Sequence, residues 1–178
     1  MTIRRLVPAD APSYRELMLE AYARHPDAFT SSAAERAALP TAWWEARLTE
    51  AADAREIVTG AFAGAGLADV AGIAFETREK ARHKATLFGM YVRPGHRQSG
   101  FGAGLVHAVL DLARARPGVV LVQLTVTEGN HAAQALYERC GFVPFGLEPR
   151  AVSVDDGYVA KVHMWRDLAA APGGTAAP

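Results

Sequence analysis

One glycine-rich segment carries the residue types that could bind a phosphate group. It lies between an apolar run and a helix pattern, and it reads Arg97-Gln98-Ser99-Gly100-Phe101-Gly102. Gly100 and Gly102 have no Cβ, so a ligand can approach the backbone closely there. The first N–H groups of a helix have no partner within the helix and carry the positive end of its dipole. The segment therefore predicts a phosphate or pyrophosphate site. The alternative is a turn that needs glycine only for its φ angles.

Two familiar phosphate-binding patterns do not fit this segment. A P-loop ends in Gly-Lys-Ser/Thr, which does not occur in the chain. A dinucleotide fingerprint that began at Gly100 would need glycine at position 105, where Leu105 stands. Arg97, with Arg93 and His96 nearby, could add positive charge to an anion site.

A second segment begins after a strongly apolar run at residues 119–126. Asn130 stands between that run and a helix pattern, where it is a natural N-cap. Tyr137 follows about two helical turns later. Its phenol could donate a proton from a fixed position, or it could simply pack in the core.

Together the two segments resemble the GNAT superfamily of N-acetyltransferases. Residues 97–102 fit the family signature Q/R-x-x-G-x-G/A, and residues 130–142 fit the pattern N-x-x-A-x-x-L-Y-x-x-x-G-F. The order of strand, loop, helix, strand, Asn and helix also agrees. The resemblance extends over about residues 1–167 and is most specific over residues 86–145. The residues that match the second pattern are Asn130, Ala133, Leu136, Tyr137, Gly141 and Phe142.

The resemblance implies acetyl-CoA as co-substrate and acetyl transfer to a primary amine of a small molecule or peptide, by direct attack in a ternary complex. It implies that the pantetheine arm lies in a gap between the strands at 86–92 and 119–126. Asn130 would contact the pantetheine, and Tyr137 would face the sulfur. The cofactor residues that it implies are Met90, Tyr91, Val92, Arg97, Gln98, Ser99, Gly100, Gly102, Ala103, Asn130 and Tyr137. The alternative function is a non-catalytic acyl-CoA-binding sensor of the same fold.

Acetyl transfer to an amine needs a neutral nitrogen, whereas a free alkylamine has a pKa of about 10.4. A general base should therefore help, and Tyr137 should assist the leaving thiolate by donating a proton or a hydrogen bond. Glu76 follows an apolar strand and is the candidate base, with a surface carboxylate as the alternative. Glu128 and His83 are further candidates. Glu148 and Arg150 could shape the acceptor pocket.

The elements that must position these residues follow from periodicity. Strand-like runs cover residues 2–7, 56–63, 70–77, 86–92, 119–126, 142–147 and 158–165. Helix patterns start near Asp10, Thr41, Gly100 and Asn130. The order predicts an α+β (mixed α/β) fold. By resemblance it has a central, mostly antiparallel mixed sheet of about seven strands, flanked by helices and splayed between the fourth and fifth strands. The run at 119–126 predicts a strand covered on both faces.

Composition bounds the remaining possibilities. Nineteen basic residues balance nineteen acidic ones, which disfavours a broad nucleic-acid surface. No apolar run reaches the roughly 18 residues of a membrane helix, and the start of the chain does not resemble a signal peptide. We therefore expect a cytoplasmic protein with no nucleic-acid or membrane partner.

The remaining expectations concern domains, metals and partners. Residues 1–168 form one acetyltransferase domain, and residues 169–178 form a disordered tail. Cys140 cannot form an internal disulfide and packs in the core, and the histidine spacing predicts no metal site. Homodimerisation through exposed strands remains open.

Overall fold

Seven strands form one sheet in the computed structural model, which describes residues 2–64, 66–155 and 157–169. The strands are β1 (Thr2–Arg5), β2 (Glu56–Ala63), β3 (Gly66–Phe75), β4 (Lys84–Tyr91), β5 (Leu121–Thr127), β6 (Val143–Val154) and β7 (Gly157–Asp167). Their order across the sheet is β1-β2-β3-β4-β5-β7-β6. The expected tail lies outside the described residues, apart from Ala169.

Five helices pack on the two faces of this sheet. They are α1 (Ala11–Arg24), α2 (Ala33–Ala37), α3 (Thr41–Arg47), α4 (Phe101–Ala115) and α5 (His131–Arg139). Helix α4 buries one complete stripe, as its period of 3.6 residues predicts. Together with α5 it covers one face of the sheet and forms the larger apolar cluster. Helices α1 and α3 cover part of the other face around Trp44 and Leu17.

The sheet separates between β4 and β5, as predicted. These two strands are parallel, and they pair over only three positions, from Lys84 opposite Leu121 to Thr86 opposite Gln123. Beyond these pairs β4 stays with β3 as far as Tyr91, and β5 stays with β7 as far as Thr127. A gap therefore opens between the ends of β4 and β5, and backbone groups along it need a partner from elsewhere.

A bulge bends β4 beside this gap. Gly72 and Val70 of β3 are two residues apart, whereas their partners on β4, Phe88 and Tyr91, are three residues apart. Strand β4 therefore contains one extra residue at this point. Gly89 supplies the positive φ of 59° within the bulge. As a result Met90 packs with the α4–α5 cluster, whereas Tyr91 packs with the α1 cluster.

The structure corrects the expectation that the fifth strand is covered on both faces. Val122, Leu124 and Val126 are buried against α4 and α5, but Thr125 on the other face is exposed. The reason is that α1 and α3 pack on β2, β3 and β4 and do not extend over β5. Helix α3 also ends at Arg47, and both final strands are longer than predicted.

The described ranges contain neither a metal-binding cluster nor a membrane-spanning helix. Within residues 2–64, 66–155 and 157–169, no cluster of three or more His, Cys, Asp or Glu side chains could hold a metal ion. No helix in those ranges combines the length and apolar character needed to cross a lipid bilayer.

Candidate active site

A row of backbone N–H groups leads from the loop after β4 into helix α4. Six consecutive N–H groups, from Gln98 to Ala103, donate to no acceptor among the described residues. Gln98 and Gly100 have φ angles of 64° and 86°, which turn the chain sharply before the helix begins. Free amides at a helix N-terminus favour a bound anion. The segment predicted to bind phosphate thus presents a row of free N–H donors, and phosphate binding there stays a prediction.

Two acidic groups, of which one is fully buried, hold this loop in place, and the sequence did not reveal them. Asp69 is fully buried at β3, and its Oδ1 accepts from the backbone N–H of Arg93 at 2.7 Å and lies 3.3 Å from Nδ1 of His96. Glu20 of α1 accepts from Nη2 of Arg93 at 2.8 Å and from the hydroxyl of Tyr91 at 2.9 Å. Arg93 and His96 are therefore structural partners of these carboxylates, which corrects the expectation that they supply charge to an anion.

Arg97 and Ser99 flank the free amides. The Nε atom of Arg97 donates to the carbonyl of Val92 at 3.4 Å, and the guanidinium lies beside His25. The Ser99 hydroxyl donates to the carbonyl of His96, which tightens the turn. Both residues are exposed and border the loop as predicted.

The backbone of β4 provides one wall of the gap. Tyr91 pairs with Val70, and the N–H of Arg93 also turns toward β3. Because backbone groups alternate in direction along a strand, those of Met90 and Val92 point toward the gap. Tyr91 itself does not, since its backbone faces β3 and its side chain packs with α1. Its contact with the co-substrate stays a prediction.

Tyr137 lies on the α5 side of the gap. Only 7% of the residue is exposed, and its hydroxyl donates to the sulfur of Met90 at 3.4 Å. Burial raises the pKa of the Tyr137 phenol well above its ordinary value, so the group is protonated at neutral pH. The ring also packs edge-on against Phe142. The phenol is thus part of the core, with its proton next to β4, and its role as a proton donor stays a prediction.

Asn130 and Gly102 shape the helix ends on either side of the gap. The Oδ1 atom of Asn130 accepts from the N–H of Ala133 at 3.2 Å, which confirms the predicted N-cap of α5. A Cβ at Gly102 would lie 3.0 Å from Leu136 and 3.5 Å from Met90. Gly102 therefore lets α4 approach α5 and β4 closely, whereas at Gly100 a Cβ would meet no atom within 4 Å.

Glu76 is not brought together with the other predicted residues. Its N–H donates to the carbonyl of Lys84, at the closed end of the β4–β5 pairing. Met90 is six positions further along β4, or about 20 Å at the rise of a strand. The Glu76 carboxylate bonds Arg78, which lowers its pKa to about 2. This position argues against the prediction that Glu76 is the base, because the carboxylate lies at the closed end of the strand pairing, far from the Met90 wall of the gap.

The other base candidates occupy opposite ends of β5. His83 lies at the closed end, where its carbonyl accepts from the N–H of Val120 at 2.9 Å. Glu128 is exposed at the open end, directly after β5, and its N–H donates to the carbonyl of Ala160. His83 is thereby separated from the gap, as Glu76 is.

A short segment after α1, residues 25–28, connects the two sides of the gap at its open end. The ring of His25 lies 5.9 Å from that of Tyr91 on the β4 side. On the β5 side, the Thr127 hydroxyl donates to the carbonyl of Asp27 at 2.9 Å, and Nζ of Lys161 donates to that of Ala28 at 2.6 Å. Lys161 is only 5% exposed, and this burial lowers the pKa of its ammonium group. We call this segment the strap.

The family model for the acetyltransferase (GNAT) family matches residues 14–142. That range includes the strap, the loop of free amides, the gap and Tyr137. The chain belongs to the acetyltransferase (GNAT) family. Members of this family are acetyl-CoA-dependent N-acetyltransferases, and the sheet with its gap between β4 and β5 is their fold.

Two characterised GNAT relatives are similar over part of their length. The [ribosomal protein bS18]-alanine N-acetyltransferase of Escherichia coli K12 is 38% identical over 69 residues, which are 39% of this chain and 46% of that protein. The streptothricin acetyltransferase of Streptomyces lavendulae is 35% identical over 99 residues, which are 56% of this chain and 50% of that protein. The chain thus matches about half the length of these relatives.

Solved GNAT structures share the fold over almost the whole chain. An acetyltransferase of the GNAT family from Streptococcus pneumoniae superposes with a TM-score of 0.84 at 24% identity, covering 93% of this chain and 98% of that chain. A Salmonella typhimurium protein, solved with its cofactor acetyl-CoA, superposes with a TM-score of 0.77 at 21% identity, covering 99% of each chain.

The residues of this GNAT chain fit acetyl-CoA. The six free amides suit a pyrophosphate, and the open space at Gly100 leaves room for it. The gap-facing backbone of Met90 and Val92 suits the amide groups of a pantetheine arm. Tyr137 is the protonated group nearest to that wall of the gap.

Proposed function

We propose that this chain transfers the acetyl group of acetyl-CoA to a primary amine, by direct attack of the amine on the thioester in a ternary complex. The observation that carries the proposal is the row of six free amides next to a gap between two parallel strands. Membership of the GNAT family supports it. The bound co-substrate would supply the thioester carbonyl, and the chain would supply orientation and protons.

Each element at the gap has a role in this proposal. The amides from Gln98 to Ala103, with Arg97 and Ser99 beside them, hold the pyrophosphate. Backbone groups of Met90 and Val92 align the pantetheine arm as an added strand, and Asn130 contacts it from the α5 side. Orientation of two reactants in one site is itself a large source of rate acceleration.

Tyr137 assists the departure of the thiol. A thiolate such as that of cysteine has a pKa of about 8.5, and an ordinary phenol has one near 10. Because burial raises the pKa of Tyr137 further, complete proton transfer to the thiolate is uphill. The phenol therefore acts mainly as a hydrogen-bond donor that stabilises negative charge developing on sulfur.

The names of two relatives support the proposed class of acceptor. One of them is named for the alanine of a ribosomal protein and another for streptothricin. We propose a primary amine, on a peptide or on a small molecule, because both kinds of acceptor occur among proteins similar to this chain.

The second candidate function is a non-catalytic sensor of acyl-CoA. It is favoured by one observation, that the Tyr137 hydroxyl is already bonded to Met90 and almost fully buried. In a sensor the cofactor site would be retained while Tyr137 served only to pack the core.

One pair of measurements separates these functions. Thermal unfolding with acetyl-CoA reports binding, since saturation at 100 times Kd adds about 2.7 kcal/mol of stability. Release of free thiol is then assayed with a panel that contains an alanine-initiated peptide, streptothricin and simple alkylamines. We expect both stabilisation and thiol release. Stabilisation without release on any amine would favour the sensor, and the absence of stabilisation would refute both.

A further inference from the structure

In the part of the chain that the structure describes, no helix covers one face of the three strands beyond the gap, β5, β7 and β6. Val162 and Met164 of β7 pack into the α4–α5 cluster, so the alternating residues Lys161 and His163 face the opposite side of the sheet. Thr125 of β5 pairs directly with His163 and is exposed on that face. The side of the sheet next to the gap is therefore open above Thr125 and His163.

A carboxylate fixes the imidazole on this open face. Oε2 of Glu148 lies 2.8 Å from Nε2 of His163. Glu148 is directly opposite Lys161 across the β6–β7 pairing, yet the ammonium group of Lys161 donates to Ala28 in the strap. Glu148 thus pairs with the imidazole of His163, diagonally across the two strands, and not with the ammonium group of Lys161 directly opposite. Because a carboxylate only accepts, Nε2 carries the proton and Nδ1 of neutral His163 has a free lone pair.

The space around His163 could admit an acceptor. Gly146 is the residue opposite His163, and a Cβ there would meet no atom within 4 Å. The ring of Phe145 stands edge-on to the imidazole, with centroids 5.8 Å apart, and 58% of this residue is exposed. An imidazole beside an open space and an apolar ring suits an amine carried on an apolar or aliphatic chain.

The register places His163 level with the start of the gap. The last paired residues of β4 and β5 are Thr86 and Gln123. Thr125, two positions further along β5, lies at the level where the strands separate, and His163 is its direct neighbour on β7. Adjacent strands lie about 4.8 Å apart. An amine that enters the gap from the open face would pass over Thr125, within reach of the imidazole directly or through one water.

We propose that His163, oriented by Glu148, is the base that removes a proton from the acceptor amine. This inference rests on the proposed function. A proton passes from the ammonium nitrogen to Nδ1 of His163, and the freed lone pair forms the new C–N bond to the acetyl carbon as the C–S bond breaks. The nitrogen loses its second proton as the thiolate sulfur gains one. One proton leaves through His163 to solvent, so the products are an amide and a free thiol. His163 is thus a catalytic residue, and Glu148 is a positioning residue.

Other charged groups face the same space and would influence this proton transfer. Glu148 contributes a negative charge from β6, and Lys161 contributes a positive charge from β7. Asp27 of the strap lies close enough to Lys161 to counter part of that charge. From β5 only the uncharged Thr125 and Thr127 face His163 on this side.

The test measures kcat/KM as a function of pH for the wild type, His163→Gln and Glu148→Gln. The acceptor is the best amine of the panel. We expect His163→Gln to lose about 10²-fold at neutral pH. The loss should shrink as pH approaches about 10.4, where the amine is neutral without a base. Glu148→Gln should show a smaller loss in kcat/KM, because the imidazole remains but its orientation is no longer fixed by the carboxylate. His107→Gln, at an exposed histidine on α4, is the matched control.

Binding and folding measurements complete the test. Acetyl-CoA affinity and the melting temperature should be unchanged in His163→Gln, because the residue is remote from the amide row and partly exposed. A wild-type pH profile in that variant, or a loss that is equal at all pH values, would overturn the inference while leaving the proposed function intact. Failure of the wild type to acetylate any amine would instead remove the proposed function, and this inference with it.

Discussion

The hydroxyl of Tyr137 and the sulfur of Met90, 3.4 Å apart, connect helix α5 to the bulged part of strand β4. This contact crosses from one side of the gap to the other. Any ligand that places its own sulfur at this position would compete with the thioether of Met90 for the same phenolic proton.

Tyr137→Phe should therefore lower kcat by about 10²-fold with little change in acetyl-CoA affinity. The ring and its contact with Phe142 remain, so only the donated hydrogen bond is lost. Steady-state kinetics and calorimetric titration give the two quantities. Tyr14→Phe, at a buried phenol in the other cluster, serves as the control. Wild-type turnover in Tyr137→Phe would show that the residue only packs.

Glu76→Gln should retain kcat within about twofold, as for a surface substitution. The Glu76 carboxylate lies at the closed end of the gap and is bonded to Arg78, which lowers its pKa to about 2. A group ionised across the whole assay range gives no acid limb to the pH profile. A profile whose acid limb vanished in this variant would restore Glu76 as the base.

Asp69→Asn should weaken acetyl-CoA binding by about tenfold or more, the effect of about 1–3 kcal/mol for a disrupted buried hydrogen bond. The asparagine side chain keeps one acceptor oxygen for Arg93 but places an NH₂ group near His96. The loop that carries the free amides would then be held less firmly at Arg93 and His96. Calorimetric titration measures the effect, and Asp111→Asn on the surface of α4 is the control. Equal affinities in the two variants would contradict the role given to Asp69.

Gly102→Val should destabilise the fold by about 1–3 kcal/mol, the usual range for overpacking. A Cβ at this position comes within 3.0 Å of Cδ2 of Leu136, so the packing between α4 and α5 must shift to admit the valine side chain. Thermal unfolding is the measurement. Gly95→Val is the control, because a Cβ at Gly95 meets no atom within 4 Å. Equal melting temperatures for both variants would refute the packing argument.

A comparison with Lys161→Met should reveal how the contribution of Lys161 to the free energy of unfolding depends on pH. Burial lowers the pKa of Lys161 in the folded chain below its unfolded value of about 10.4. Between these two pKa values the unfolded chain binds more protons, so wild-type stability increases with pH. The stability of wild type minus that of Lys161→Met should therefore increase as pH rises toward 10.4. Denaturant unfolding at several pH values tests this, with Lys80→Met as a control for lost charge. A stability difference between wild type and Lys161→Met that stays constant or falls with rising pH would contradict this prediction.

Local periodicity was sufficient to predict the helices and strands that form the gap. The stripe of α4 and the N-cap at Asn130 depend on spacing within one element, and both are confirmed. The exposure of Thr125 could not be predicted, because it depends on how far α1 and α3 reach across the sheet. An apolar strand shows that burial is needed but not which neighbour provides it.

Contacts between distant segments explain the errors in the site. Arg93 and Glu20 are 73 positions apart, and His96 and Asp69 are 27 apart. Basic residues next to a glycine-rich turn look like anion ligands until their carboxylate partners are known. Glu76 was misplaced for a related reason, since only the strand register shows which end of the gap it occupies.

The pairing of β4 with β5 is the shortest between neighbouring strands of the described chain, at three residue pairs. The sheet consequently consists of a four-stranded part and a three-stranded part, which are joined by only these three residue pairs. A ligand whose amide groups form hydrogen bonds with both parts would close the gap between them. The rigidity of the catalytic platform would then belong to the liganded complex rather than to the polypeptide alone.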